Sequence, residues 1–239
     1  MLKVDFVTLF PEMVLEATNH SILRRAQEKG LVQFSATNPR EFTHDNHRTV
    51  DDNPFGGGAG MVMKCEPVAA AIESARVHED AAVVFTDPTG SIFNQETAEE
   101  FAGKSQVVFV CGHYEGIDDR VRELFATHVL SLGDFVLTGG ELPSLVMADA
   151  VVRLLPGALG SSASLEQGSH SDGLLSAPQY TRPEEFRGLA APEVLRSGDH
   201  GKIARWRRKQ ALLLTRRNRP DLFWSAQLTK QDLDVLSEE

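Results

Sequence analysis

The sequence has few of the residues that mark secreted, zinc-binding or membrane-spanning proteins. It contains only two cysteines in 239 residues, and Cys65 and Cys111 form neither a CxxC pair nor a metal-ligand spacing. No apolar run approaches the roughly 18 to 20 residues that span a bilayer, and the N-terminus carries acidic residues where a signal peptide would not. We therefore expect a reduced, soluble, cytoplasmic protein with no structural metal and no membrane partner.

Basic residues are also scarce, with 24 lysines and arginines against 34 acidic residues and a net charge of −10. This charge alone argues against a nucleic-acid partner, because phosphate binding normally needs a basic surface. The basic residues are unevenly spread, however: eight of them and no acidic residue lie between Lys202 and Arg219, so the rest of the chain carries −18. A solvated helix face is one explanation, but eight like charges around Trp206 favour phosphate binding.

What the chain does contain is an alternation of short apolar runs and helix-like stretches, typical of an α/β domain with a mostly parallel sheet. The predicted strands are 3–9, 32–37, 82–86, 106–111 and 128–132. The predicted helices are 21–29, 67–75, 95–102, 118–125 and 141–155. Residues 158–178 are rich in glycine, serine and alanine and predict a linker or mobile loop. Only helical signals follow, at 199–214, 220–224 and 229–236.

Two groups of loops carry residues suited to ligand binding. Four glycines fill all but one of positions 56–60, where they permit positive φ or close backbone approach; no Walker A sequence follows, so a floppy surface loop remains an open alternative. Glycine-containing loops also follow the strands that end near 86, 111 and 132. Because loops at the carboxyl ends of parallel strands meet, we predict one cleft there, with ordinary tight turns as the alternative.

Several long motifs in one order resemble the bacterial tRNA (guanine-N1-)-methyltransferase family, the TrmD type. They are TLFPEM at 8–13, NPREFTHDNHRTVDDNPFGGGAGM at 38–61, VCGHYEGIDDRV at 110–121, SLGDFVLTGGELP at 131–143, DAVVRLLPG at 149–157 and YTRP at 180–183. The resemblance implies a homodimeric enzyme that uses S-adenosyl-L-methionine to methylate N1 of the guanosine immediately 3′ of the anticodon, with stimulation by Mg²⁺. It also implies a knotted catalytic domain at 1–157, a linker at 158–178 and a small all-helical tRNA-binding domain at 179–239. The deep trefoil knot comes from the resemblance alone, since chains as a rule do not knot.

Carried over position by position, the resemblance places the cofactor pocket on the three loops of the predicted cleft. The pocket residues are Thr86, Pro88, Gly90, Gly112, Tyr114, Glu115, Gly116, Leu132, Gly133, Asp134, Phe135, Val136, Leu137, Gly139, Gly140 and Pro143. The first loop reads Asp87-Pro88-Thr89-Gly90 instead of the commoner Ser-Pro-Gln-Gly, so its side-chain contacts are expected to differ.

The catalytic residues implied by the resemblance fall in two places. One is Arg153, which spacing alone would pair with Asp149 in an exposed i,i+4 ion pair and which the family uses as the cation near guanine O6. The family's base, an aspartate, falls on Gly168, which cannot accept a proton. We hypothesise Glu166 as the substitute base; Asp172 and His170 are alternatives.

The candidate tRNA surface combines loop residues with the basic segment. Its members are His47, Arg48, Asp51, Tyr180, Arg182, Lys202, Arg205, Arg207, Arg208 and Lys209. Phosphate contacts there would position the anticodon arm, and contacts to unpaired bases would supply specificity. Two other functions remain open: a tRNA-binding protein that has lost catalysis through Gly168, and a methyltransferase that acts on another RNA.

Overall fold

The computed structural model describes residues 1–160, 168–170 and 172–237. The chain divides into two compact units, 1–160 and 161–239. In the first unit the strands are β1 (Leu2–Val7), β2 (Val32–Thr37), β3 (Asp51–Asp52), β4 (Val62–Met63), β5 (Ala82–Ile92), β6 (Gln106–Cys111) and β7 (His128–Ser131). The helices are α1 (Pro11–Thr18), α2 (Ser21–Glu28), a 3₁₀ turn (Pro39–Phe42), α3 (Cys65–Ala75), α4 (Gln95–Ala102), α5 (Asp119–Phe125) and α6 (Glu141–Val152).

Five of these strands form one parallel sheet in the order β2-β1-β6-β5-β7. The central strand β6 is buried along its whole length, as expected when helices cover both faces of a sheet. Its alternate residues serve two cores: Phe109 packs with Met147 of α6 on one face, whereas Val108 packs with Ile72 of α3 on the other. The predicted α/β class with a parallel sheet is therefore confirmed.

The structure differs from the predicted elements in three places. Helix α1 was not predicted; it starts with Pro11 at its first position, where the missing N–H costs nothing. Strand β5 continues past Thr86 to Ile92, with an irregularity in its pairing to β7 between Thr86 and Ser91. A short antiparallel pair, β3 with β4, flanks the glycine-rich loop. These features depend on pairing and packing between distant segments, which a local apolar pattern does not contain.

The second unit contains a short antiparallel pair, β8 (Glu185–Phe186) and β9 (Leu189–Ala190), and helices α7 (Glu193–Arg196), α8 (His200–Asn218), α9 (Pro220–Ser225) and α10 (Lys230–Leu236). It is therefore helical with one hairpin, and the prediction of an all-helical unit was wrong at residues 185–190. Its core is formed by Leu174, Leu212 and Phe223. Within the described ranges, no helix is long and apolar enough to cross a membrane.

Candidate functional site

A cleft lies where β6 and β7 end and beside the irregular part of β5, close to the place predicted for an open parallel sheet. It has a volume of about 460 Å³, within the usual range of small-molecule sites. Its described lining contains the predicted residues Thr86, Pro88, Gly112, Tyr114, Glu115, Gly116, Leu132, Phe135, Val136, Leu137, Gly139, Gly140 and Pro143. The three segments that the sequence placed together thus do line one cleft.

Three predicted pocket residues, Gly90, Gly133 and Asp134, are outside the described lining of the cleft. Gly90 lies against the backbone of β7, where an added Cβ would come within 2.5 Å of the Val129 carbonyl carbon and the Leu130 nitrogen. Its glycine is therefore explained by strand packing. Gly133 has a φ of 150°, which is a backbone conformation that favours glycine.

The loop between β7 and α6 packs directly on the ends of the neighbouring strands. The Gly140 amide donates to the Gly112 carbonyl at 2.9 Å, and the Thr86 hydroxyl donates to the Gly140 carbonyl at 3.3 Å. A Cβ on Gly140 would collide with the Thr86 hydroxyl and come within 2.6 Å of the Cys111 Cα. Glycine at 140 is therefore required by the close approach of two backbones, although its own φ is negative.

The glycine-rich loop between β3 and β4 is attached to the rim of the cleft. The Glu115 amide donates to the Met61 carbonyl at 2.9 Å, and the Met63 amide donates to the Gly116 carbonyl at 2.9 Å. Gly56, Gly57, Gly58 and Gly60 all have positive φ, so the prediction that this loop needs glycine conformations is confirmed. The loop itself is exposed, and its C-terminal end is held by these two backbone hydrogen bonds.

A buried carboxylate connects three segments below the cleft. Glu141, the first residue of α6, is 2% exposed. Its Oε1 accepts from the Thr8 hydroxyl at 2.7 Å, and its Oε2 lies 3.0 Å from His113 Nε2. Burial, with Glu141 nearby, raises the pKa of the Cys111 thiol well above its usual range. Glu141 therefore links the start of α6 to the residues that follow β1 and β6.

Sequence reasoning missed several residues of the cleft. His113, Asp119 and Arg122 line it, and the Arg122 guanidinium forms an ion pair with Asp119 at 2.5 Å. In the first loop, the Asp87 carboxylate accepts from the Thr89 amide at 2.8 Å and from its hydroxyl at 2.6 Å. The spacing of Asp87 and Thr89 is that of an Asx turn, so this unusual loop could have been interpreted from sequence.

The structure does not bring all predicted catalytic residues to the cleft. Arg153 caps the C-terminus of α6 and is half-buried; the ion pairs of the described residues do not include the expected pair with Asp149. At 1.5 Å per residue, Arg153 lies about 18 Å along the helix from Glu141 below the cleft. Glu166 lies outside the described residues. Of the alternative bases, the Asp172 carboxylate is bound by Arg208.

The basic segment forms α8, as predicted, but its arginines have different surroundings. Tyr180 lies beside Trp206 of this helix, with ring centroids 6.3 Å apart, so two parts of the predicted RNA surface do meet. Arg207 is exposed. Arg208 binds Asp232 through Nε at 2.6 Å and Nη2 at 3.0 Å, and this pairing holds the pKa of the Asp232 carboxyl well below its usual range. The geometry favours a structural role for Arg208 over the predicted RNA contact.

The predicted RNA residues of the first unit lie on an ordered turn. His47 and Arg48 are exposed, and the Asp45 carboxylate accepts from the amides of His47 at 3.1 Å and Thr49 at 3.0 Å. The hydrogen bonds from Thr49 lower the pKa of Asp45. Asp51 is half-buried in β3. In the described part of the chain, no three histidine, cysteine or acidic side chains lie close enough to hold a metal ion.

The parallel sheet and the glycine-lined cleft beside the ends of its strands define an α/β protein with a cleft of the size usual for small-molecule sites. The chain belongs to the tRNA (guanine-1)-methyltransferase family TrmD, whose model matches residues 2–225. It is 54% identical to the tRNA (guanine-N(1)-)-methyltransferase of Geobacter sulfurreducens, over 99% of this chain and 97% of that protein. The proteins of the same name from Geotalea uraniireducens and Dictyoglomus turgidum are 52% and 50% identical, over 99% and 100% of this chain and 96% of each.

Proposed function

We propose that this protein transfers a methyl group from S-adenosyl-L-methionine to N1 of the guanosine immediately 3′ of the anticodon in tRNA. The single observation that carries the proposal is the cleft, because two of its loops contain two of the motifs on which the family resemblance rests, those at 110–121 and 131–143. Relatives named as tRNA (guanine-N(1)-)-methyltransferases match the chain over nearly its full length. The substrate also assigns the protein to the cytoplasm, where tRNA is abundant.

The cleft suits S-adenosyl-L-methionine in shape and charge. Gly112, Gly139 and Gly140 let a bound molecule approach the backbone, whose N–H and C=O groups are hydrogen-bonding partners for adenine and ribose. Acidic groups at the rim, Asp87 and Glu115, favour a cation. When bound there, the cofactor supplies an electrophilic methyl group on a positively charged sulfur.

The protein's own residues must supply a proton acceptor and a cation. Guanine N1 loses its proton as its lone pair forms the new bond to the methyl carbon, and the bond from that carbon to sulfur breaks. The negative charge that develops towards O6 needs a nearby cation, which we assign to Arg153. We assign the proton to Glu166, because Gly168 replaces the family's aspartate.

The position of Arg153 supports a homodimer with shared active sites. Pro143 of α6 lines the cleft, and about 15 Å of helix separates it from Arg153; we therefore propose that Arg153 acts at the cleft of a second protomer. Exposed apolar side chains on the same helix and the loop before it support such an interface: Leu142, Val146, Phe135 and Val136. We also propose the family's knot for this region, which the packing of Gly140 between β5 and β6 supports.

The tRNA would bind through α8 and the loop at His47 and Arg48. The proposed phosphate contacts of α8 are Lys202, Arg205, Arg207 and Lys209. Tyr180, which lies beside Trp206 of α8, is exposed, and so is Arg182. Aromatic and arginine side chains bind unpaired bases by stacking. We therefore propose that the second unit binds the anticodon arm, and we exclude Arg208 from the proposed RNA contacts.

One assay tests the function. Purified protein is given S-adenosyl-L-methionine with a radioactive methyl group and tRNA transcripts that differ only in the nucleotide 3′ of the anticodon. We expect methylation of the guanosine transcript and none of the adenosine transcript. Binding without transfer would support the tRNA-binding alternative that Gly168 suggests. Transfer that ignores this nucleotide would support a different RNA substrate.

A further inference from the structure

Arg208 is the centre of a three-residue ion-pair cluster in the second unit. Its guanidinium binds Asp232 through two nitrogens and binds Asp172 through Nη1. Asp232 is buried and also closes the capping box of α10, where its Oδ2 accepts from the Thr229 amide at 2.9 Å. Asp172 lies outside the helices, within the predicted linker at 158–178 and four residues after position 168. Arg208 therefore connects α8, the start of α10 and the linker.

The residues around Asp172 form a turn with its own hydrogen bonds; we call residues 168–170 and 172–176 the linker turn. The His170 amide donates to the Leu174 carbonyl at 2.7 Å. The Leu174 amide donates to Asp172 Oδ1 at 3.2 Å, and the Ser176 amide donates to the Ser169 hydroxyl at 3.0 Å. One oxygen of Asp172 thus holds the turn while the other binds Arg208.

The linker turn is also docked on α8 by apolar packing and a hydrogen bond. Leu174 is 1% exposed and packs with Leu212 and Phe223. The Leu175 amide donates to the Thr215 hydroxyl at 2.9 Å. Counting Arg208, the turn is attached to α8 at three levels along the helix, which are residues 208, 212 and 215.

We propose that Asp172 and Arg208 are positioning residues for methyl transfer: they fix the linker turn, which begins at position 168, on the helix that binds tRNA. The inference rests on the proposed function, since Glu166, to which we assign the proton, lies two residues before the turn in the sequence. A turn attached to α8 places this part of the linker at a defined distance from the RNA contacts on the outer face of that helix. A loose turn would leave the proton acceptor poorly aligned, and a misplacement of about 1 Å costs up to about 100-fold in rate.

The test is Asp172→Asn in the full-length protein. Asparagine keeps an oxygen for the Leu174 amide but removes the charge that Arg208 binds. We expect the single-turnover rate at saturating tRNA and cofactor to fall about tenfold or more, with tRNA affinity and melting temperature nearly unchanged. Amide exchange of His170 and Leu174 should become faster. Thr215→Val, which removes the acceptor for Leu175, should act in the same direction.

Glu184→Gln is the matched control, because it breaks another exposed arginine–carboxylate pair of the same unit, Arg196 Nη1 to Glu184 Oε2 at 2.6 Å. It should leave the rate and the exchange of the linker turn unchanged. A faster-exchanging turn with a wild-type rate would overturn the positioning role and leave the proposed function intact. So would a rate loss fully explained by weaker tRNA binding. If the wild type itself fails to methylate tRNA, the proposed function fails, and the exchange data alone decide whether Asp172 fixes the turn.

Discussion

At the scale of single residues, the sequence predicted the backbone conformations of glycines better than it predicted ion pairs. Gly56 to Gly58 were expected to adopt conformations that other residues avoid, and their φ values of 86°, 77° and 130° confirm this. The i,i+4 spacing of Asp149 and Arg153 predicted an ion pair that does not form in the described structure. The i,i+4 spacing permits such a pair, but an ion pair of this kind stabilises a helix by only about 0.2–0.5 kcal/mol. This is too little to fix the position of a side chain at a helix end.

Gly168 poses the sharpest question at this scale, and two variants answer it. Removing a general base typically costs 10² to 10⁴ in rate, roughly, so Glu166→Gln should lower the single-turnover rate by about 100-fold if Glu166 accepts the N1 proton. Gly168→Asp should raise the wild-type rate, because it returns a carboxylate to the family's position. Gly168→Asn is the matched control, with nearly the same shape and no base. A wild-type rate in Glu166→Gln would remove Glu166 from the mechanism.

At the scale of elements, α8 shows what a charge pattern can and cannot predict. The start of the helix was predicted within one residue, because Asp199 is an N-cap whose side chain accepts from the Lys202 amide at 3.0 Å. The sequence could not show which of the eight basic residues are exposed and which form ion pairs within the protein, because that depends on what packs against the helix. Consecutive residues point about 100° apart, and this rotation separates exposed Arg207 from Arg208, whose partners Asp172 and Asp232 come from other segments.

The same substitution should affect tRNA binding at Arg207 and the stability of the second unit at Arg208. Arg207→Gln should weaken tRNA binding and reduce the slope of affinity against salt by about one charge, without changing the melting temperature or cofactor affinity. Arg208→Gln should lower the stability of the second unit by about 1.5–3 kcal/mol, because it removes charged hydrogen bonds and leaves buried Asp232 unpaired. Filter binding at several salt concentrations and thermal unfolding measure both effects. Equal salt slopes for Arg207→Gln and wild type would remove Arg207 from the RNA surface.

At the scale of the whole molecule, the net charge argued against an RNA partner, and the strand order of the sheet could not be predicted. The net charge of −10 describes the average chain, yet α8 concentrates positive charge where the proposed substrate binds. Local apolar runs identified the five main strands, but the order β2-β1-β6-β5-β7 places β6 between β1 and β5, and no local pattern specifies this insertion. The proposed dimer interface cannot be predicted from periodicity either, because a residue such as Val146 resembles any other apolar helix position until its exposure is known.

The last prediction concerns the proposed dimer. Val146 lies on α6 and is 52% exposed; an aspartate there would introduce a charge into an apolar interface and leave it without a partner. We expect Val146→Asp to be a folded monomer by light scattering and circular dichroism, with methyl transfer reduced at least about 100-fold because Arg153 would no longer reach a second cleft. Val77→Asp is the matched control, since Val77 is 58% exposed elsewhere on the same unit, and it should remain dimeric and active. A fully active Val146→Asp monomer would show that one protomer holds a complete site and that Arg153 has another role.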